Sequence, residues 1–155
     1  MKKHLFFLLI FFSLVLQVHG NGQNDRVALL VNRCISLLDQ PVPAGFRYMG
    51  DAPGPNTQVF YSDEGILLLV HNGIVTVSSV HNTFSSDNEV NKHRASFSRY
   101  LERNNWEFFH RSSRGAEIYK KDDLSAIIES PRRLNNGSIE TLIGFSRSLL
   151  GLENM

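Results

Sequence analysis

The 155-residue chain contains one cysteine, Cys34, so an intramolecular disulfide is excluded and stability has to come from packing. Paired-cysteine metal motifs fall with it. No His-Glu-x-x-His, Gly-x-Ser-x-Gly or glycine-rich phosphate loop occurs, and His71, His81, His93 and His110 have no spacing that gathers three ligands. Neither a metal, nor a cofactor, nor a catalytic set is therefore expected. Basic stripes are also missing: Lys120-Lys121 and Arg132-Arg133 are isolated pairs beside Asp122-Asp123 and Glu129. Nucleic acid is a poor partner for such a surface, because its binding needs many phosphate-neutralising charges on one face.

Long apolar runs are scarce except at the start. Lys2 and Lys3 precede an apolar stretch from Leu5 to Val18 and then Val18-His19-Gly20. This is the pattern of a cleavable signal peptide over residues 1–20, cut near Gly20/Asn21. The stretch is short of the roughly 20 apolar residues of a spanning helix. Cys34 lies too far downstream for a lipid anchor. Membrane contact is thus expected only through the signal peptide before cleavage, and the mature chain is expected to be secreted or periplasmic. Removing Lys2 and Lys3 from the sixteen basic residues leaves fourteen against fifteen acidic ones. Residues 21–155 suit one α+β domain.

Within it, Val27, Leu30, Val31, Cys34, Leu37 and Leu38 recur at helical spacing and predict a helix over Asp25–Asp39, ended by Pro41 and Pro43. Cys34 falls on its buried stripe. A short strand, Phe46–Met49, precedes a three-strand meander from Gln58 to Val80, with turns at Asp63-Glu64-Gly65 and Asn72-Gly73. A second helix, Glu89–Asn104, is capped by Asp87 or Asn88 and buries Val90, Phe97, Tyr100 and Leu101. Strands follow at Trp106–Arg111, Ala116–Lys121, Leu124–Glu129 and Ser138–Phe145.

The halves match in order. Cys34 falls with Phe97, Tyr61 with Tyr119, and Asn72-Gly73 with Asn136-Gly137, which predicts two tandem helix-plus-antiparallel-meander repeats at about 24–84 and 87–148. The expected product has sheet on one side and helices on the other. Its topology resembles the tandem repeats of β-lactamase inhibitor proteins and, more distantly, saddle-shaped duplicated domains such as the TATA-box-binding protein. The likeness is one of topology and carries no function by itself.

A two-residue Asn72-Gly73 turn would pair Val70 with Val75 and Leu68 with Val77, and so place Ile66, Leu68, Val70, Val75 and Val77 on the core face. Leu67, Leu69, His71, Ile74, Thr76, Ser78 and Val80 would face out, as would Ser125, Ile127, Glu129, Glu140 and Leu142 in the second half. Phe60 and Ile118 would point inward, Tyr61 and Tyr119 outward. Tyr61, Tyr119, Leu67, Leu69, Ile74, Ile127 and Leu142 then form the candidate binding surface, since tyrosine and aliphatic anchors within a polar fringe are what interfaces use. Asp63-Glu64 and Asp122-Asp123 read as turn formers, and Asn136-Gly137-Ser138 as a glycosylation acceptor only in a eukaryotic secretory pathway. The function expected is an exported, non-enzymatic protein-binding module, an inhibitor or accessory factor of an envelope or secreted protein. The alternative is a small-ligand or lipid carrier with an apolar pocket between helices and sheet.

Overall fold

The computed structural model describes residues 22 and 24–147. The expected signal peptide with its cleavage point and the tail from Leu149 lie outside the described residues. The first helix, α1, runs over residues 24–37. It is followed by β1 (Arg47–Asp51), β2 (Thr57–Tyr61), β3 (Ile66–His71), β4 (Ile74–Phe84), α2 (Asp87–Arg103), β5 (Glu107–Arg111), β6 (Glu117–Lys121), β7 (Leu124–Ile128), β8 (Arg132–Arg133) and β9 (Ile139–Ser146). Among the described residues no helix is long and apolar enough to cross a membrane.

All nine strands join one antiparallel sheet in the order β1-β2-β3-β4-β9-β7-β6-β5, with β8 on β9. Two meanders thus run inward from opposite edges and meet at β4–β9, which pair from Val77↔Ser146 to Phe84↔Ile139. The edges are alike. β1 and β5 each carry a bulge, between Tyr48 and Gly50 and between Phe108 and His110. Beside the bulges Tyr48 meets Phe60 edge-on at 5.7 Å, and Phe108 meets Tyr119 edge-on at 5.6 Å.

Both helices lie on one face of the sheet. Val27, Val31, Cys34 and Leu37 of α1, with Phe97 and Leu101 of α2, pack into one core with Ile66, Leu68, Val70, Val75, Val80, Ala126, Ile128, Ile143 and Phe145. Each large side chain fully buried there contributes about 1.5–3 kcal/mol of transfer free energy. Two residues past the first helix Asp39 takes a left-handed φ of 61°, and the chain then pairs with the start of β4 through Asp39 N–H to Val75 O and Val75 N–H to Gln40 O, both 2.9 Å. The second helix is capped by Ser86, not by Asp87 or Asn88. Ser86 is extended, its Oγ accepts from Glu89 N, and the Glu89 carboxylate in turn accepts from Ser85 and Ser86. This reciprocal arrangement uses Ser86 because Asp87 already sits in the first helical turn.

Several facing assignments change. Thr76 is an extra residue opposite the Leu69/Val70 step, so Val70 pairs with Val75 but Leu69 pairs with Val77 and Leu68 with Ser78. A bulge of one residue flips the side chains beyond it. Val77 therefore lies on the outer face, while Ser78 and Val80 turn to the core. Tyr119 points inward rather than outward: it is 2% exposed and joins the core, and Ile118 takes the outer side. Turn length is the reason. Three residues separate the bonded Ser62 and Ile66, whereas Asp122-Asp123 alone separate Lys121 from Leu124, and that difference reverses the parity inferred from matching Tyr61 to Tyr119. Asn72-Gly73 is a two-residue turn with both φ positive. Asn136-Gly137 instead closes a three-residue loop from Leu134 to Ser138, between β9 and the unforeseen strand β8.

Candidate functional site

The register carries one row of side chains across the face away from the helices. Arg47 lies beside Tyr61, then come Leu67, Ser79, Gly144, Ile127, Ile118 and His110, one per strand. Gly144 in the middle has no side chain, so Val77 and Ile127 approach across β9. With Ala116 they form a second apolar cluster, covered by Leu69 and Ile118.

Beside this cluster, toward the start of β9, lies a pocket of about 630 Å³. Met49, Val59, Leu67 and Leu142 give it an apolar floor, and Tyr61, His81, Glu129, Ser130, Arg132 and Glu140 give it a polar wall. The wall is ordered by a chain of contacts. Tyr61 packs edge-on against His81 at 5.8 Å. His81 Nε2 lies 2.9 Å from Glu140 Oε1, and Arg132 holds Glu140 Oε2 through Nε at 2.9 Å and Nη2 at 2.5 Å. Both guanidinium nitrogens bear on the one oxygen, a charge-assisted contact made by a largely exposed arginine. Burial pushes the Glu140 carboxyl up, but the hydrogen bonds from His81 and Arg132 outweigh it, and Glu140 stays below the usual carboxylate range. Glu129 is displaced the other way, raised by half-burial against weaker opposition from the Ser130 backbone and the charge of Arg114.

The structure brings together three of the residues expected at the surface, Tyr61, Leu67 and Leu142. Leu69 and Ile127 belong to the neighbouring apolar cluster, and Ile127 is almost covered. Ile74 is exposed at the β3–β4 turn. Tyr119 belongs to the core, where its hydroxyl donates to Glu117 Oε2 at 3.2 Å; the same carboxylate accepts from Ser98 at 3.0 Å and Arg111 at 2.8 Å. Met49, Val59, His81, Glu129, Ser130, Arg132 and Glu140 complete the pocket but did not figure among the candidates. Glu129 and Glu140 were legible as outward by parity. The His81–Glu140 contact was not, because it needs the β4–β9 pairing. Among the described residues no group of three or more His, Cys, Asp or Glu is placed to hold a metal ion.

Fold and site define an α+β protein with two helices on one face of a large antiparallel sheet and a pocket of mixed chemistry on the other. No protein-family model, curated protein or solved structure matches the chain.

Proposed function

We propose that the chain is an exported, non-enzymatic module that binds another protein through the outer face of its sheet, with Tyr61, Leu67 and Leu142 as anchors. The observation that carries this reading is the pocket itself, in which an aromatic and four further apolar residues sit beside a connected polar rim. Desolvated aromatic anchors inside a polar surround are what concentrate binding energy at interfaces. The partner is an envelope or secreted protein, which this chain would inhibit or assist.

The two halves read as tandem copies of one α-plus-meander unit. The mirrored strand order, the bulge in each edge strand and the matching Tyr48–Phe60 and Phe108–Tyr119 pairs support duplication. Topology is the only link to the β-lactamase inhibitor proteins, so the inhibitor role rests on analogy.

To test the reading, the immobilised mature protein and its Tyr61→Ala variant are exposed to the secreted and envelope fractions of the native host. The variant is expected to lose at least tenfold in retained partner with an unchanged far-UV circular dichroism spectrum. Equal retention would sink the proposal. A carrier of small ligands or lipids is the second reading, favoured by a pocket volume within the range of about 300–1,000 Å³ usual for small molecules. Its ligand would sit by Tyr61, because the space between helices and sheet is filled by side chains such as Leu68, Phe97 and Phe145, all 0% exposed. Native mass spectrometry showing no co-purified small molecule would count against it.

A further inference from the structure

Resting on the reading of this face as a protein-docking surface, the charge inside the pocket restricts what enters it. Two carboxylates and one guanidinium line the wall, and Arg132 is already committed to Glu140. That leaves Glu129 as the uncompensated charge. Among the described residues, none of the ion pairs involves Glu129; Arg132 and His81 both turn to Glu140, and the charge of Arg114 reaches it only from the exposed β5–β6 turn. A half-buried carboxylate without an ion-pair partner is costly and gains from a cation brought to it. Around Glu129 the pocket offers aliphatic walls, Leu67 and Leu142, and the ring of Tyr61.

We propose that the pocket receives an arginine side chain of the partner polypeptide, its guanidinium on the Glu129 carboxylate and against Tyr61, its methylenes along Leu67 and Leu142. Arginine fits better than lysine because a planar guanidinium can fork onto a carboxylate and stack on an aromatic face at once, while its stem tolerates apolar walls. The groups facing Glu129 set the pH dependence. His81 and Arg132 both engage Glu140, and Arg114 lies on the β5–β6 turn; these groups are common to the wild type and a Glu129→Gln variant, so the difference between the two isolates Glu129, whose carboxyl half-burial raises. Protonation of Glu129 removes the attraction, and arginine binding therefore weakens as pH falls and releases protons when it occurs.

The test is an NMR titration of the isotope-labelled mature protein with N-acetylarginine amide, N-acetyllysine amide and N-acetylnorleucine amide at neutral pH. Arginine is expected to shift the amides of Tyr61, Leu67, Glu129 and Leu142 and to bind at least tenfold more tightly than norleucine, with lysine between them. Glu129→Gln should abolish that preference while leaving the spectrum folded. Acidification to about pH 4.5 should weaken arginine binding several-fold more in the wild type than in the variant, which keeps His81. Equal affinities for arginine and norleucine, or an unchanged preference in Glu129→Gln, would overturn the proposal. Agmatine binding tenfold more tightly than the capped amino acid would overturn the polypeptide origin of the cation. Failure here is separable from failure of the docking surface: partner capture lost in Tyr61→Ala but kept in Glu129→Gln refutes the arginine alone.

Discussion

Cys34 shows how one side chain's chemistry is decided by its surroundings. The helical spacing of Val27, Val31, Cys34 and Leu38 put it in the core, and it is fully buried beside the β4 strand, where burial pushes its thiol up to about 11. Native protein should therefore resist a thiol-specific chromogenic reagent at pH 8 and react only after denaturant is added; prompt labelling of the folded form would contradict the burial. His93 lies between Phe84 and Phe97, with ring centroids 4.9 and 5.0 Å away, and burial lowers it to about 4, helped by the charge of Arg26. In the unfolded chain it titrates near 6.5. The unfolded state thus binds the proton first on acidification, and the stability due to neutral His93 is complete above pH 6.5 and drains away as pH falls toward 4. After discounting for partial exposure the loss is on the order of 1 kcal/mol. Urea midpoints at pH 7.5 and 4.5 should differ less in His93→Leu than in the wild type. Tyr61 and Tyr119 separate by the same kind of argument. Tyr119→Ala should cost about 3–5 kcal/mol, and Tyr61→Ala no more than about 1 kcal/mol, in chemical denaturation.

At the level of elements, helices were more legible than facing. Periodicity located α1 and α2 within a residue or two, because an amphipathic stripe such as Val90, Phe97 and Leu101 reports its own burial. The cap was misplaced by one or two positions, since Ser86, Asp87 and Asn88 are all good capping residues and only the backbone distinguishes them. Ser86→Ala should cost about 1 kcal/mol in urea unfolding, whereas Asn88→Ala should be nearly neutral. Every strand but β8 was found, but the sides they present were read correctly only as far as the first irregularity. Thr76, whose hydroxyl donates to Leu69 O at 3.2 Å, is an ordinary strand residue in type, so nothing in the sequence marks it as the extra residue that exchanges Val77 for Val80. The pocket suffered in proportion. Tyr61, Leu67 and Leu142 were visible because their parity survives, while His81 reaches the site through the β4–β9 pairing of distant strands, Met49 sits at the β1 bulge and Arg132 lies on the unforeseen strand β8.

For the molecule as a whole, the central seam matters most. β4 and β9 join the two meanders through eight consecutive pairs, and Arg147 reaches from the end of β9 to Asp39 of the first half and Asp123 of the second. Residues 24–84 expressed alone would expose β4 as a long edge with half its core uncovered, and residues 87–148 would do the same with β9. Neither fragment is expected to show a dispersed amide spectrum, whereas mixing them should restore one; a folded single half would contradict this dependence. The same seam bears on how the chain reaches its fold. Each meander closes by hairpins between neighbours, but Val80 and Ile143 must find one another across the whole of α2 and the second meander. Closing so distant a contact carries a large entropic cost before it is rewarded, so docking of the two meanders is the slow event. During synthesis the first meander emerges with β4 bare, and until β9 arrives that strand is the place where a nascent chain would pair with the wrong neighbour.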